Sequence, residues 1–437
     1  MLAALRGRGA KLTRADAIAA SGLPEDEAGR ALSVLLKEYR SHLSATASGE
    51  LLYQFDPAFT RRDAVPWRER AAAVADTLWR GFSFLFKIAI VATLVGYFAL
   101  FVAMMVALIF ARSGSDRDDD GPSFGIGPLL WFWGWDAGPA PYGRRPARTA
   151  RRAPFYKRVF AFVFGPPAPK ADPLEDERRI VAHIRAGRGR IAPVDLVRLM
   201  GWTFPRAEEE ATRLMVDYGG EPEVTDDGVV VYVFKGLRMT AGAETDVADV
   251  ARAPDWESEG LEPTPPLTGN EPGTNALIGL FNGFNLLAPF WIVPAFEARL
   301  HVSLASWQFL LVDFPLAFSA VFFAVPLGRW VKARLEARAR ATRNDRRRLI
   351  GRIFAYVDLG LGPSPRAELA PTPALAALLD RELVSLGGDV ATDPDARGRV
   401  RYTFPRIEQE IAALARVRAA APATERDAGA VVFSSAD

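Results

Sequence analysis

Three polar side chains interrupt long apolar stretches of this chain: Asn282, Asn285 and Asp313. A polar group at membrane depth is costly and needs a partner. If an apolar hairpin turns near residue 299, Asn285 and Asp313 reach the same height near its middle. An interhelical hydrogen bond between them is then the expected role. A proton or ion path is the alternative, weakened because the stretches hold no further charge for a relay. Asp116 and Asp118–Asp120 could attract a divalent cation, but glycine and serine surround them, as in a solvated loop. The three histidines, His42, His183 and His301, share no metal-ligand spacing. Cysteine is absent, which excludes disulfides, Cys-based zinc sites and thiol chemistry. Gly125-x-Gly127 is too short and wrongly flanked for a phosphate loop. No Ser-His-Asp set or pair of catalytic carboxylates can be assembled. The expectation is a non-enzymatic protein without cofactor or metal.

A second group of residues suits a surface rather than a reaction. Arg144, Arg145, Arg148, Arg151, Arg152, Lys157 and Arg158 follow one another with no acid between them, and Phe155, Tyr156, Phe160 and Phe162 interleave their end. That pattern fits anionic lipid headgroups, where each cation contributes roughly 1 kcal/mol. A nucleic-acid patch and a plain topology signal are the alternatives. The net charge of +2 suggests no global affinity for nucleic acid. Arginine supplies 47 of the 54 cations, a bias typical of GC-rich bacterial genomes.

The elements that position these residues are long and apolar. Ile88–Ala111 runs 24 residues without a charge, enough to cross about 30 Å of hydrocarbon. Ala276–Phe296 and Leu304–Leu327 read as two further spans joined in a hairpin. Basic residues follow the third span, from Arg329 and Lys332 to Arg346–Arg348, and place that end in the cytoplasm. The hairpin brings the region before it to the same side. Arg61, Arg62, Arg68, Arg70 and Arg80 say the same of the start of the chain, yet three spans cannot return it there. Ile126–Trp135, with its tryptophans, could be re-entrant or interfacial, and Phe155–Gly165 suits a short interfacial helix. The parity of the crossings stays open at this point.

Between the apolar stretches lies a repeat. Residues 10–55 and 189–234 align without a gap at an offset of 179. Asp16 matches Asp195, Gly22 matches Gly201, Tyr39 matches Tyr218, and Gly49-x3-Tyr53-x-Phe55 recurs as Gly228-x3-Tyr232-x-Phe234. A looser third copy ends Gly398-x3-Tyr402-x-Phe404. In the second copy the pattern predicts a helix over 176–187, a short strand at 190–192, helices over 194–200 and 204–218, and a hairpin around Asp226-Asp227-Gly228. The first copy lacks most of its first helix, since Met1 aligns with Ile180. In the third, Leu349–Val357 and Thr372–Ser385 are the first and third helices, and the proline-rich stretch 360–373 departs from the pattern.

That order resembles the winged helix-turn-helix superfamily, with the hairpin as the wing. The resemblance implies that the third helix could dock on DNA through its N-terminal part. Here that part reads Glu25-Asp26-Glu27 and Glu208-Glu209-Glu210, carboxylates where phosphates would lie. Protein interaction or self-packing is therefore preferred, and nucleic acid is disfavoured.

The expected fold class is an α-helical membrane protein with α+β modules, three winged-helix-like repeats interleaved with about three transmembrane helices. Its segments are 1–56 (copy 1), 66–112 (first span), 113–173 (loop, basic run, interfacial segment), 174–236 (copy 2), 237–273 (acidic disordered linker), 274–328 (hairpin), 329–404 (basic helix and copy 3) and 405–437 (helix and disordered tail). The expected role is a scaffold or adaptor in a bacterial inner membrane, with copies 2 and 3 cytoplasmic. Its partners would be the bilayer and a protein, and a homo-oligomer is compatible with it. A membrane-tethered transcription regulator is the runner-up, and a transporter using 276–327 the third reading.

Overall fold

A computed structural model describes residues 1–5, 11–56, 59–62, 67–113, 153–166, 172–238, 261–392, 400–421 and 431–435. Copy 1 opens with one turn, α1 (Leu2–Leu5), then β1 (Lys11–Leu12) and α2 (Arg14–Ser21). Thr13 and Asp16 form a reciprocal cap on α2. Asp16 N–H donates to Thr13 Oγ1 at 3.1 Å, and Thr13 N–H donates to Asp16 Oδ2 at 3.0 Å. Gly22 ends the helix at φ +74°, a left-handed cap that glycine adopts freely. α3 (Glu25–Glu38) buries Ala28, Leu32 and Leu35, one face at helical spacing. The hairpin β2 (Ser41–Thr46) and β3 (Leu51–Phe55) closes the copy.

The long helix α4 (Trp67–Ser113) and the short α5 (Phe155–Phe164) precede copy 2. Copy 2 comprises α6 (Glu175–Ala186), β4 (Arg190–Ile191), α7 (Pro193–Met200), α8 (Phe204–Asp217), β5 (Glu221–Val224) and β6 (Val230–Val233). Next come α9 (Pro272–Leu300) and α10 (Phe314–Asp358), with a π-turn over Phe309–Asp313 between them. Copy 3 takes its first helix from the end of α10. It continues with β7 (Ser364–Pro365), α11 (Arg366–Leu369), α12 (Pro373–Glu382), β8 (Asp389–Thr392) and β9 (Val400–Thr403). Its second helix is thus one turn long, as the prolines in 360–373 require. Last come α13 (Pro405–Ala420) and β10 (Val431–Ser434). The chain is mostly helical, with three small sheets of order β1-β3-β2-β10, β4-β6-β5 and β7-β9-β8.

The chain divides into two compact units. The first gathers residues 1–70, 170–264 and 337–437, so all three copies lie in one body. Copies 2 and 3 share a single apolar core: Ile180, Val181, Ile184, Leu196, Phe204, Leu214 and Phe234 pack in one cluster with Leu349, Ile353, Phe354, Leu379 and Phe404. Copy 1 keeps its own core, including Leu12, Leu32, Tyr39, Tyr53 and Phe55, and contributes Ile18 and Ala28, with the partly buried Met1, Ala19 and Leu23, to the shared one.

Two expectations of disorder are corrected here. Of the acidic linker 237–273, residues 239–260 lie outside the described residues, but its end is ordered. Glu262 N–H donates to Asn344 Oδ1 at 2.9 Å, and the Glu262 carboxylate takes both arms of Arg343 at 2.8 and 2.7 Å. The Arg343 guanidinium holds that carboxyl below its ordinary range. Of the acids that suggested disorder, Glu262 finds Arg343 and Arg347 on α10. Within the last fifteen or so residues, expected to be disordered, β10 is a strand on the β2 edge. Four residues are too few to announce a strand by periodicity.

The second unit gathers residues 71–169 and 265–336. Among the described residues three helices are long and apolar enough to cross a membrane: Arg70–Ala111, Pro272–Leu300 and Phe309–Asp358. They pack through two apolar layers. Phe101, Met104, Ala288, Ile292 and Leu311 form one; Leu94, Val159, Val163, Ile278 and Phe322 form the other, which includes α5. At one end of the unit Arg299 donates to Ala111 O at 3.2 Å. Toward the other, Lys87 Nζ lies 4.5 Å from the Phe160 ring centroid. Lys87 and Ala111 are separated by about 36 Å of α4 at 1.5 Å per residue. Ser113 and α5 therefore sit toward opposite ends of this unit.

Candidate functional site

The polar residues within the apolar helices find partners other than those expected. Asn285 Nδ2 donates to Leu94 O at 2.8 Å, and Asn282 Nδ2 donates to Ser319 O at 3.1 Å. Both asparagines are buried, and each ties α9 to the backbone of a neighbouring helix. Asp313 is exposed in the π-turn. The expected Asn285–Asp313 bond is therefore corrected. The hairpin turns at 301–308 instead of near 299, so Asp313 lies at the start of the returning helix rather than at mid-height. Asn282 Oδ1, Asn285 Oδ1 and Ser319 Oγ have no hydrogen-bond partner among the described residues.

Of the residues expected at lipid headgroups, Arg144, Arg145, Arg148, Arg151 and Arg152 lie outside the described residues. So do Asp116, Asp118–Asp120 and Ile126–Trp135. Lys157 and Arg158 fall on α5, a helix as expected. Lys157 is exposed, whereas Arg158 leans over the Phe155 ring at 5.9 Å and its carbonyl accepts Asn270 Nδ2 at 2.8 Å.

A polar cluster that sequence reasoning missed joins the copies. Asp195, the match of Asp16, is buried at the start of α7. Arg418 of α13 donates to its Oδ2 at 2.6 Å, and His183 Nε2 lies 3.2 Å from its Oδ1. Burial alone would raise this carboxyl. The His183 contact, the Arg418 charge and the Ala192 N–H together hold it below its ordinary range. In copy 1 the same position repeats the motif: Arg185 of α6 donates to Asp16 Oδ1 at 2.7 Å. Each aspartate thus both starts a helix and receives an arginine from another copy or from α13.

The turns are used in the same way. At Gly22 a side chain would meet Arg178 Cγ and Leu174 O at 2.9 Å, both at the α6 end of copy 2. Tyr218 OH donates to Gly22 O at 2.9 Å, and burial pushes its phenol up. Gly201, the equivalent turn, faces Arg347 of α10, and Arg198 donates to Asp358 at 2.7 Å. The acidic starts of the third helices are engaged as well. Glu25 accepts Arg14 at 3.2 Å, and Glu208 pairs with Arg406, whose guanidinium stacks 4.0 Å over Phe204.

Beside α8 a cleft of about 430 Å³ is lined by Glu208, Gly228, Tyr232, Arg406, Gln409 and Glu410 among others. Glu410 accepts Val194 N–H at 2.8 Å and Arg406 Nε at 2.9 Å. Burial nevertheless pushes it above the usual carboxylate range. These groups are mutually paired, which suits them to fixing α13 on copy 2 rather than to proton transfer. No group of three or more His, Asp or Glu side chains able to hold a metal occurs among the described residues.

No family model and no solved structure matches the chain. It is 24% identical over 386 residues to an uncharacterised chloroplastic protein of Arabidopsis thaliana, covering 81% of this chain and 72% of the relative. The expectation of a bacterial inner membrane, with copies 2 and 3 in its cytoplasm, is thereby corrected: the relative is a chloroplastic plant protein. Arginine and alanine bias reports base composition and carries no address.

Proposed function

We propose that this chain is a non-enzymatic, membrane-anchored platform. Its three winged-helix-like copies form one body and bind a partner protein. The observation that carries the reading is where the copies spend their helix-turn surfaces. Gly22, Gly201 and the acidic starts of α3 and α8 are engaged within the body. The face that would approach DNA is carboxylate-rich, with Glu25 and Glu208 already paired to arginines, and phosphate contacts need cations there. The winged-helix reading is supported by the recurring order helix, strand, helix, helix, strand, strand, with the last strand central in the sheet. The membrane setting is supported by three helices of sufficient length and apolarity and by the large exposed side chains Leu280, Leu287, Phe290, Val321 and Leu327 along them. The relative's description supports a plastid location.

A shared core has a topological consequence. Copies packed into one body occupy one side of the membrane. In the cysteine-free chain, Ser48→Cys and Ser385→Cys are therefore expected to react with an impermeant thiol reagent from the same side. The functional test is photo-crosslinking in the source membrane from Val216 and Val224, which are 74% and 71% exposed. A discrete adduct with a second protein is the expected result. Salt-sensitive binding of duplex DNA by the full chain in nanodiscs, with no protein adduct, would overturn the proposal.

A further inference from the structure

The outer strands of the three sheets present different edges. β5 reads Glu221-Pro222-Glu223-Val224 and is exposed throughout. Pro222 has no N–H to offer, and two carboxylates flank it. β8 opens with Asp389. Prolines and charges are how natural edges refuse another strand. β2 of copy 1 reads Ser41-His42-Leu43-Ser44-Ala45-Thr46, without a proline or a carboxylate. It is also the outer strand on which a fourth strand is found.

That fourth strand is β10, antiparallel to β2, with Val431 opposite Thr46, Phe433 opposite Ala45 and Ser434 opposite Ser44. Just beyond it Ser435 N–H donates to Leu43 O and Leu43 N–H donates to Ser435 Oγ, both at 2.9 Å. The side chains add little: Val431, Val432 and Phe433 remain 47%, 71% and 66% exposed. β10 is thus held by main-chain bonds with almost no apolar burial, and a register shift between Val431 and Phe433 weakens its ladder. A strand that makes the same bonds and buries more would replace it. Strand addition to a free sheet edge is a general mode of peptide recognition.

We infer that the β2 edge of copy 1 is a strand-docking site held closed by the chain's own residues 431–434. The partner it takes is an extended, uncharged, β-branched or aromatic segment of another protein. The chemistry of β10 itself defines what the edge accepts. This inference rests on the platform reading and gives it a surface and a class of partner.

The test uses the full chain in nanodiscs and a variant with the strap released, Phe433→Pro with Ser435→Pro. The second change removes both Ser435 bonds to Leu43. The probe is a fluorescent peptide of residues 430–436, with the Phe433→Pro peptide as control. Anisotropy is expected to show at least tenfold tighter binding to the released variant than to the natural chain, and no binding of the control. Equal affinity for both chains would overturn the inference. So would no binding to a released variant that melts like the natural chain. A natural-chain dimer that the peptide dissociates would also overturn it, since the occupant would then be a second copy. Crosslinks from Val216 and Val224 that persist without peptide binding would sink the edge and leave the platform standing. Peptide binding without any protein adduct would do the reverse.

Discussion

Copy 2 is docked twice, by copy 1 on one side and by copy 3 on the other. Both junctions use a turn glycine against an arginine of the next copy's first helix: Gly22 against Arg178, Gly201 against Arg347. The geometry is repeated but the material is not. The copy 2–copy 3 junction is apolar, with Leu349, Ile350, Ile353 and Phe354 in the core of copy 2. The copy 1–copy 2 junction mixes polar bonds, Tyr218 OH to Gly22 O and Arg185 to Asp16, with a smaller apolar share from Ile18, Ala28 and the partly buried Met1, Ala19 and Leu23. Burial of apolar surface supplies most of the stability of a packed core. The repeat therefore specifies how copies meet, while core composition specifies how firmly. Copy 1 should be the part of the body that opens first. It is also the copy whose sheet carries the exchangeable strap.

Core truncation should separate the junctions most widely. Phe354→Ala leaves a cavity in the shared core and is expected to cost about 3–5 kcal/mol. Hydrogen exchange should then rise in copies 2 and 3 together. Phe55→Ala creates a similar cavity in the separate core of copy 1, and its exchange should rise in residues 11–56 while copies 2 and 3 stay protected. Equal loss of protection across all three copies after Phe55→Ala would refute the distinction.

The turn glycines give the next effect. Gly22→Ala and Gly201→Ala both force a side chain into left-handed backbone, at about 1–2 kcal/mol. Gly22→Ala should be the worse, because Leu174 O, a backbone atom, stands 2.9 Å from the new Cβ. At Gly201 the nearest atom is Arg347 Cγ at 3.3 Å, on a side chain that can swing away. Thermal melts of the two variants decide it, and the same ranking should appear in protease sensitivity of copy 1. Tyr218→Phe is smaller, at about 1 kcal/mol for the bond to Gly22 O. Its effect should appear as faster exchange in copy 1, whereas Tyr39→Phe, whose hydroxyl only accepts Arg61 at 3.3 Å, should leave copy 2 unchanged.

How much of this was legible follows from range along the chain. The gap-free repeat carried the element order of copies 1 and 2, because Gly22, Gly201 and the Gly49 and Gly228 turns are local necessities. The prolines of copy 3 marked a departure from the pattern but did not announce the single turn, Arg366–Leu369, that stands there. The pairing of Asp195 with Arg418 could not, since 223 residues separate them and nothing in either neighbourhood names the other. Asn285 was recognised as needing a partner, but the partner is the Leu94 carbonyl, and a backbone acceptor leaves no trace in side-chain identity. The division into a merged and a separate core was equally hidden, because both copies show the same apolar periodicity.

The smallest effect concerns the two carboxylates that anchor α13 on copy 2. Asp195 is held below its ordinary range by its charged partners, and Glu410 is pushed above it by burial. Their contributions to stability should therefore run in opposite directions with pH. Asp195 stabilises fully above the unfolded carboxylate value, and that contribution is lost as pH falls toward its depressed folded value. Glu410 costs stability once the pH exceeds its raised folded value, and the cost is relieved as pH falls through that value toward the unfolded one. Glu410→Gln keeps an acceptor for Val194 N–H and removes the buried charge, but it weakens the bond from Arg406. The net change at neutral pH should stay within about 1 kcal/mol. It should shrink further in mild acid, where the natural carboxyl is itself protonated and the two chains converge. Denaturant titrations between neutral pH and the carboxylate range measure it. A difference that grows on acidification would mean that Glu410 anchors α13 as a stabilised anion, as Asp195 does, and that burial is not what sets its protonation.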